Sequence, residues 1–172
     1  MLRTEDGGQH WTPFQDRTDT PQSLHLNAIA STGDGLFIVG EQGLLLKWDE
    51  PKQRFVALDS PYQGSFFGVI GKPGEVLVYG LRGHVFRSVD GGASWTALST
   101  GLQVSLTAAT LDAEGHYRLL SQAGQLLVST DDGARLQPQP RKDMSPAAGA
   151  ITAPNGGLVL VGSRGVRALD VK

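Results

Sequence analysis

The chain has 172 residues, a formal charge of −2, 40% hydrophobic and 19% charged residues, 23 glycines and no cysteine. That length suffices for one domain with a real core, while the small net charge gives no electrostatic case for nucleic acid or an anionic membrane surface. The missing cysteines exclude disulfides, thiolate metal sites and a cysteine nucleophile, but they fix no compartment.

In chain order, Leu2 to Thr4 and a run from Trp11 read as two short strands around a turn. A first full unit follows with Leu26 to Ala30, Leu36 to Val39, Leu44 to Trp48 and Arg54 to Leu58. The second has Phe66 to Ile70, Val76 to Tyr79, His84 to Ser88 and Trp95 to Leu98. The third has Leu106 to Leu111, Tyr117 to Leu120, Gln125 to Ser129 and Arg135 to Gln137. The last has Ala150 to Pro154, Leu158 to Val161 and Val166 to Leu169. Short apolar or alternating runs bounded by Gly, Pro, Asn and Asp are strands in hairpins. No sustained 3.6-residue period is present, so almost no helix is expected. No apolar run approaches the roughly 18 residues of a membrane span, and Met1 to Asp6 lacks the apolar core of a signal peptide.

Two landmarks keep one period. The glycines closing G-x-x-G or S-x-x-G turns, Gly43, Gly83, Gly124 and Gly165, are 40, 41 and 41 residues apart. The aspartates Asp6, Asp49, Asp90 and Asp131 are 43, 41 and 41 apart. A four-stranded antiparallel unit of this length is a β-propeller blade. The sequence therefore predicts one all-β propeller domain or propeller fragment over 1–172. Its blades lie near 26–59, 66–100, 105–140, and 147–172 together with 1–15. The N-terminus supplies a third and a fourth strand and the C-terminus a first, second and third. Either the two ends close one blade, or the chain is part of a larger ring, or exposed edges pair between copies.

The turn between third and fourth strands reads S/T-x-D-x-G-x-x-W. It stands as Thr4, Asp6, Gly8 and Trp11, again as Ser88, Asp90, Gly92 and Trp95, and more weakly as Ser129, Asp131 and Gly133 with Leu136 in the aromatic place. The carboxylate can accept backbone N–H groups of its own turn, the glycine takes the left-handed conformation, and the aromatic is expected to pack beside the next hairpin. These are Asp-box, or bacterial neuraminidase, repeats. The form G-x-x-G-x-(apolar)-x-x-S-x-D-G-G-x-x-W resembles the photosystem II stability/assembly factor family. That resemblance implies a seven-bladed, extracytoplasmic, non-catalytic scaffold that assists assembly of a membrane complex. Seven blades need roughly 290 residues at about 41 each, against about four blades here.

The box aspartates fall a repeat apart, which spreads them around a rim and disfavours a shared catalytic or metal site. Trp11 and Trp95 hold the repeat's aromatic position, so core is expected ahead of a sugar-stacking platform that would also use Trp48. The histidines His10, His25, His84 and His116 lack H-x-x-x-H spacing. Ser121 and Ser129 lack a nucleophile elbow, and no glycine-rich phosphate loop is present. No cofactor is expected. Arg82 and Arg164 occupy matching turns where Gln42 and Ala123 stand elsewhere. The repeat does not require arginine there, and arginine anchors partner carboxylates, so these two are the candidate partner-binding residues. Arg87 and Arg118 read as strand-edge charges. The rival reading is an Asp-box glycoside hydrolase, sialidase-like or xyloglucan-cleaving, or a carbohydrate-binding module. Its acids would be Asp34, Glu75 and Glu114, but the sialidase F/Y-R-I-P motif is absent.

Overall fold

A computed structural model describes residues 1–20, 24–141 and 145–169. Among the described residues, seventeen strands form five separate antiparallel sheets. An N-terminal hairpin pairs β1 (Leu2–Arg3) with β2 (Thr12–Pro13). The first blade is β3 (Leu26–Thr32), β4 (Gly35–Gly40), β5 (Leu45–Asp49) and β6 (Arg54–Ala57). The second is β7 (Phe66–Lys72), β8 (Glu75–Gly80), β9 (Val85–Ser88) and β10 (Thr96–Leu98). The third is β11 (Leu106–Leu111), β12 (Tyr117–Ser121), β13 (Leu126–Ser129) and β14 (Gln137–Gln139). The last sheet has three strands, β15 (Gly149–Thr152), β16 (Leu158–Gly162) and β17 (Gly165–Leu169). The chain is a partial β-propeller with its blades in sequence order. The N-terminal hairpin and the three-stranded sheet stand as separate sheets.

The core consists of the joints between blades. Phe37, Val39 and Leu45 of the first blade pack against Phe66, Val69, Val76, Val78 and Phe86 of the second. Leu77, Tyr79 and Val85 meet Leu106, Tyr117, Leu119 and Leu127. Ala108, Leu120 and Leu126 meet Ala147, Leu158, Leu160 and Leu169. Second strands are largely apolar because each lies between two neighbours; every residue of β8 and β12 is buried, Glu75 and Arg118 included. Neighbouring blades meet mainly through their first strands. Each of β3, β7 and β11 carries a bulge after its first pair, at Leu26/Ala28, Phe66/Gly68 and Leu106/Ala108. In the second blade the bulge brings Gly68 against Tyr79, where a Cβ would stand 2.2 Å from the ring.

Two expectations shift. The fourth strand of the third blade starts at Gln137 instead of Arg135, because Asp131 Oδ1 takes the Arg135 N–H at 2.9 Å and holds that residue in the turn. Three-residue 3-10 turns stand at Gln15–Arg17, Glu41–Gly43 and Leu81–Gly83. The last two contain left-handed Gln42 (φ 51) and Arg82 (φ 56), so they are tight reversals and not helix. Among the described residues no helix is long and apolar enough to cross a membrane.

Candidate functional site

The turns divide the blade stack into two faces. On one face, first-to-second-strand turns interlock with Asp-boxes. Asp34 Oδ1 accepts the Gly74 N–H at 2.9 Å, Lys47 Nζ donates to Gly91 O at 2.8 Å, and Lys72 Nζ meets Asp132 Oδ1 at 2.8 Å. On the other face, second-to-third-strand turns sit under the connections between blades. There Gly43 N donates to Gly64 O at 2.8 Å, Leu81 N to Ser65 O at 3.0 Å, and Gln122 N to Ser105 O at 2.8 Å.

The Asp-boxes are built from within. Thr4 Oγ1 donates to Asp6 Oδ1 at 2.8 Å and accepts the Gly8 N–H at 2.9 Å. Ser88 repeats this with Asp90 at 2.7 Å and Gly92 N at 2.8 Å. Ser129 Oγ donates to Asp131 at 2.8 Å. The carboxylates also hold the turn's far end, through His10 N at 2.9 Å and Ser94 N at 2.9 Å. Those donors stabilise the ionised form. The backbone N–H of His10, then its ring and the Thr4 hydroxyl, hold Asp6 down to about 2. The Ser94 hydroxyl, then the Ser94 N–H and the Ser88 hydroxyl, hold Asp90 at about 2. The Ser129 hydroxyl and the Arg135 N–H lower Asp131, and Lys52 lowers Asp49. Each carboxylate serves its own turn. The hydroxyl's double role was not read from the sequence, although the S/T at that position was its trace.

The aromatic position divides. Trp95 is half-buried against the first joint, whereas Trp11 is 58% exposed, against the expectation of core. The cause is the neighbour each box packs on. A Cβ at Gly92 would stand 2.8 Å from Leu58 and 3.1 Å from Phe37, both in the preceding blade. A Cβ at Gly8 would meet only Trp11, at 3.8 Å. Among the described residues no other sheet packs against Gly8. Trp48 instead stacks on Phe14 at 6.0 Å and meets Phe55 edge-on at 5.2 Å.

The acids of the glycosidase reading have joint duties. Asp34 caps a turn of the next blade. Glu75 is buried and faces Arg87 Nη2 at 3.1 Å and Lys72 Nζ at 3.5 Å. Arg87 also donates to Asp132 O at 3.0 Å, so with Lys47 it clamps one blade to the next Asp-box. Arg118 is buried too, facing Asp112 at 3.0 Å and donating to Gly156 O at 3.1 Å. Both arginines are therefore more than edge charges, which their alternation along one strand could not reveal. Asp112, Glu114 and His116 bring potential ligand atoms within 4.8 Å of one another. Asp112, however, already accepts the N–H groups of Glu114 at 3.1 Å and His116 at 2.8 Å and faces Arg118, which disfavours a cation. His10 and His25 pair with Asp6 and Glu41, and the His84 ring lies tilted against Tyr62 at 4.4 Å.

Arg82 and Arg164 are both exposed and both in second-to-third-strand turns. Their backbones differ. Arg82 is left-handed, and its turn is anchored where a Gly83 Cβ would meet Leu102 O at 2.6 Å. Arg164 sits in a two-residue hairpin closed by the Gly162–Gly165 pair, with open space around Gly165. At the N-terminal end, a groove of about 420 Å³ is lined by Leu2, Trp11, Phe14, Ile29, Leu36 and Trp48, among others. It was not anticipated from sequence, because its residues come from the N-terminal hairpin and from all four strands of the first blade.

The family model described as Photosynthesis system II assembly factor YCF48 matches residues 1–163. A curated relative, the Photosystem II assembly lipoprotein Ycf48 of Synechococcus sp. (strain CC9902), is 27% identical over 138 residues, covering 77% of this chain and 41% of that protein. A solved structure of YCF48 bound to D1 peptide superposes with a TM-score of 0.67 at 21% identity, over 93% of this chain and 53% of that one. YCF48 from Cyanidioschyzon merolae gives 0.67 at 18% identity, over 99% and 60%. The chain thus spans about half the length of these relatives.

Proposed function

We propose, since this chain belongs to the Photosynthesis system II assembly factor YCF48 family, that it is a non-catalytic propeller scaffold holding a segment of a membrane protein during assembly. The observation that carries the site is the pair of exposed arginines on the face opposite the Asp-boxes, at turn positions that the repeat fills elsewhere with Gln42 and Ala123. An exposed guanidinium offers a fork of N–H donors to a carboxylate, so the segment bound would be acidic or end in a free carboxylate. That a similar protein has been solved with a D1 peptide supports a peptide ligand. That a relative is a lipoprotein supports an extracytoplasmic location.

The test is capture from membrane extracts of the source cell by the wild-type chain and by an Arg82→Glu/Arg164→Glu variant. Recovered proteins are identified by mass spectrometry. One membrane protein held by wild type and reduced at least about tenfold by the variant is expected, which corresponds to about 1.4 kcal/mol. Circular dichroism should be unchanged, since both side chains are exposed. Equal recovery by both proteins would remove the arginine site.

A further inference from the structure

We infer, resting on the reading of Arg82 as a carboxylate anchor, that Tyr62 and His84 select what that anchor holds: a peptide segment whose carboxylate is flanked by an aromatic side chain. The connection from the first blade to the second crosses the second-to-third-strand turns of both. Gly43 N donates to Gly64 O at 2.8 Å and Leu81 N to Ser65 O at 3.0 Å. Tyr62 therefore lies between the Gln42 and Arg82 turns. Its ring reaches His84, two residues after Arg82, at 4.4 Å, and continues inward to Phe66 and Phe86 at 5.8 Å each. Phe66 and Phe86 are buried, Tyr62 is half-buried and His84 is exposed. A column of rings thus runs from the first joint out to the surface that carries Arg82.

The repeat shows that the fold does not require this column. In the next joint Thr100 takes the place of Ser60: each hydroxyl accepts the N–H two residues on, from Tyr62 at 3.4 Å and from Leu102 at 3.2 Å. Tyr62 O stands over Gly43 as Leu102 O stands over Gly83. Leu102 is therefore the counterpart of Tyr62, Val104 of Gly64, and Gln125 of His84. A Cβ at Gly64 would stand 2.3 Å from the Tyr62 ring, so the ring fills the space that a side chain at 64 would need. Tyrosine, glycine and histidine depart from the next copy together, and the glycine is there to admit the ring.

What the departure adds lies at the surface. Ser60 Oγ also donates to Tyr62 O at 2.9 Å, so the segment that carries the ring is fixed before any ligand arrives, and binding orders little there. The exposed His84 ring offers an edge or a face to an incoming aromatic side chain. Among the described residues the Tyr62 hydroxyl has no protein partner, which leaves a further donor on the same face. The guanidinium of Arg82 supplies the charge complement for a carboxylate. At the matching turn of the last sheet, valine stands where His84 does, two residues after Arg164. Ring and guanidinium are thus two residues apart at Arg82, whereas no ring stands there after Arg164.

Retention of the labelled 172-residue chain on bead-bound synthetic peptides tests this. In one peptide Phe neighbours an internal Asp and the C-terminus is amidated; in the other Phe neighbours a free terminal carboxylate. The two separate a side-chain carboxylate from a terminal one. Controls replace Phe by Ala, Asp by Asn, and the terminal carboxylate by an amide. A Phe peptide should be retained about fivefold more than its Ala control. Tyr62→Leu and His84→Gln, the residues that the next joint carries, should each remove that preference. His84→Gln alters an exposed side chain and should leave thermal unfolding in place, so its effect is not a loss of fold. Arg82→Gln should lower retention of every carboxylate peptide, with Phe or with Ala. Equal retention of Phe and Ala peptides, both lowered by Arg82→Gln, overturns the ring selection and leaves the arginine anchor standing. A preference for Phe that survives both ring variants overturns it as well. Carboxylate peptides held no better than their Asn and amide controls overturn the anchor itself, and the selection with it.

Discussion

The Asp-boxes at Thr4–Trp11 and Ser88–Trp95 make the same bonds in different surroundings. In both, a hydroxyl bridges the aspartate and a glycine N–H, and the aspartate holds the far end of the turn. In both, two consecutive glycines take positive φ, 72° and 94° in the first box and 68° and 93° in the second. Among the described residues only the second packs against a neighbouring blade, through Leu58 and Phe37. The turn is thus a local product of its own eight residues, whereas the burial of its glycine and tryptophan is contributed by a neighbour about one repeat away.

The sharpest way to break this comparison is at the second glycine. Gly92→Ala must enter a left-handed backbone and collide with Leu58 and Phe37, so a loss of about 3 kcal/mol is expected. Gly8→Ala meets the backbone strain with open space around it, for about 1 kcal/mol. Urea denaturation of the two variants reads the difference, and equal losses would mean that the neighbouring blade adds nothing.

A smaller contrast is expected at the hydroxyl. Ser88 is buried, so Ser88→Ala leaves the Gly92 N–H without its acceptor, at about 2 kcal/mol. Thr4→Ala exposes its equivalent donor to water, at about 0.5 kcal/mol. Amide exchange at Gly92 and Gly8 in these variants locates the loss.

The smallest difference should be in titration. Both Asp6 and Asp90 lie at about 2, below the usual 3.8. Because the folded value is the lower one, ionisation favours the folded turn above about pH 3.8, and that contribution fades as pH falls through about 2. Carbon NMR of the two carboxyls should give matching curves. A separation of more than about one unit would show that the joint, and not the turn alone, sets the charge.

These contrasts mark what the sequence could and could not carry. Strand positions were legible because turn residues and apolar runs repeat, and most strands start or end within two residues of where their patterns place them. Asp6, Asp90 and Asp131 were legible as turn-formers because their acceptor role is played over four residues or fewer. The exposure of Trp11 was not, since burial at that position depends on what packs against the box and not on the box's own residues. Arg118 and Arg87 are also more than the edge charges expected, because their partners Gly156 and Asp132 belong to turns of the next sheet that alternation along one strand does not describe. The arginines Arg82 and Arg164 look equivalent in sequence. Their turns differ because Gly83 lies under the connection at Leu102, while Gly165 has nothing above it.

The clamps between blades reach one step only: Lys47 to Gly91, Arg87 to Asp132, and Arg118 to Gly156. A molecule joined in this way behaves as a line of coupled units, each stabilised by what stands on either side. A lesion in one joint should therefore lower backbone protection first in the two blades that share it and less in the blade beyond, which makes the single joint the unit in which cooperativity is held.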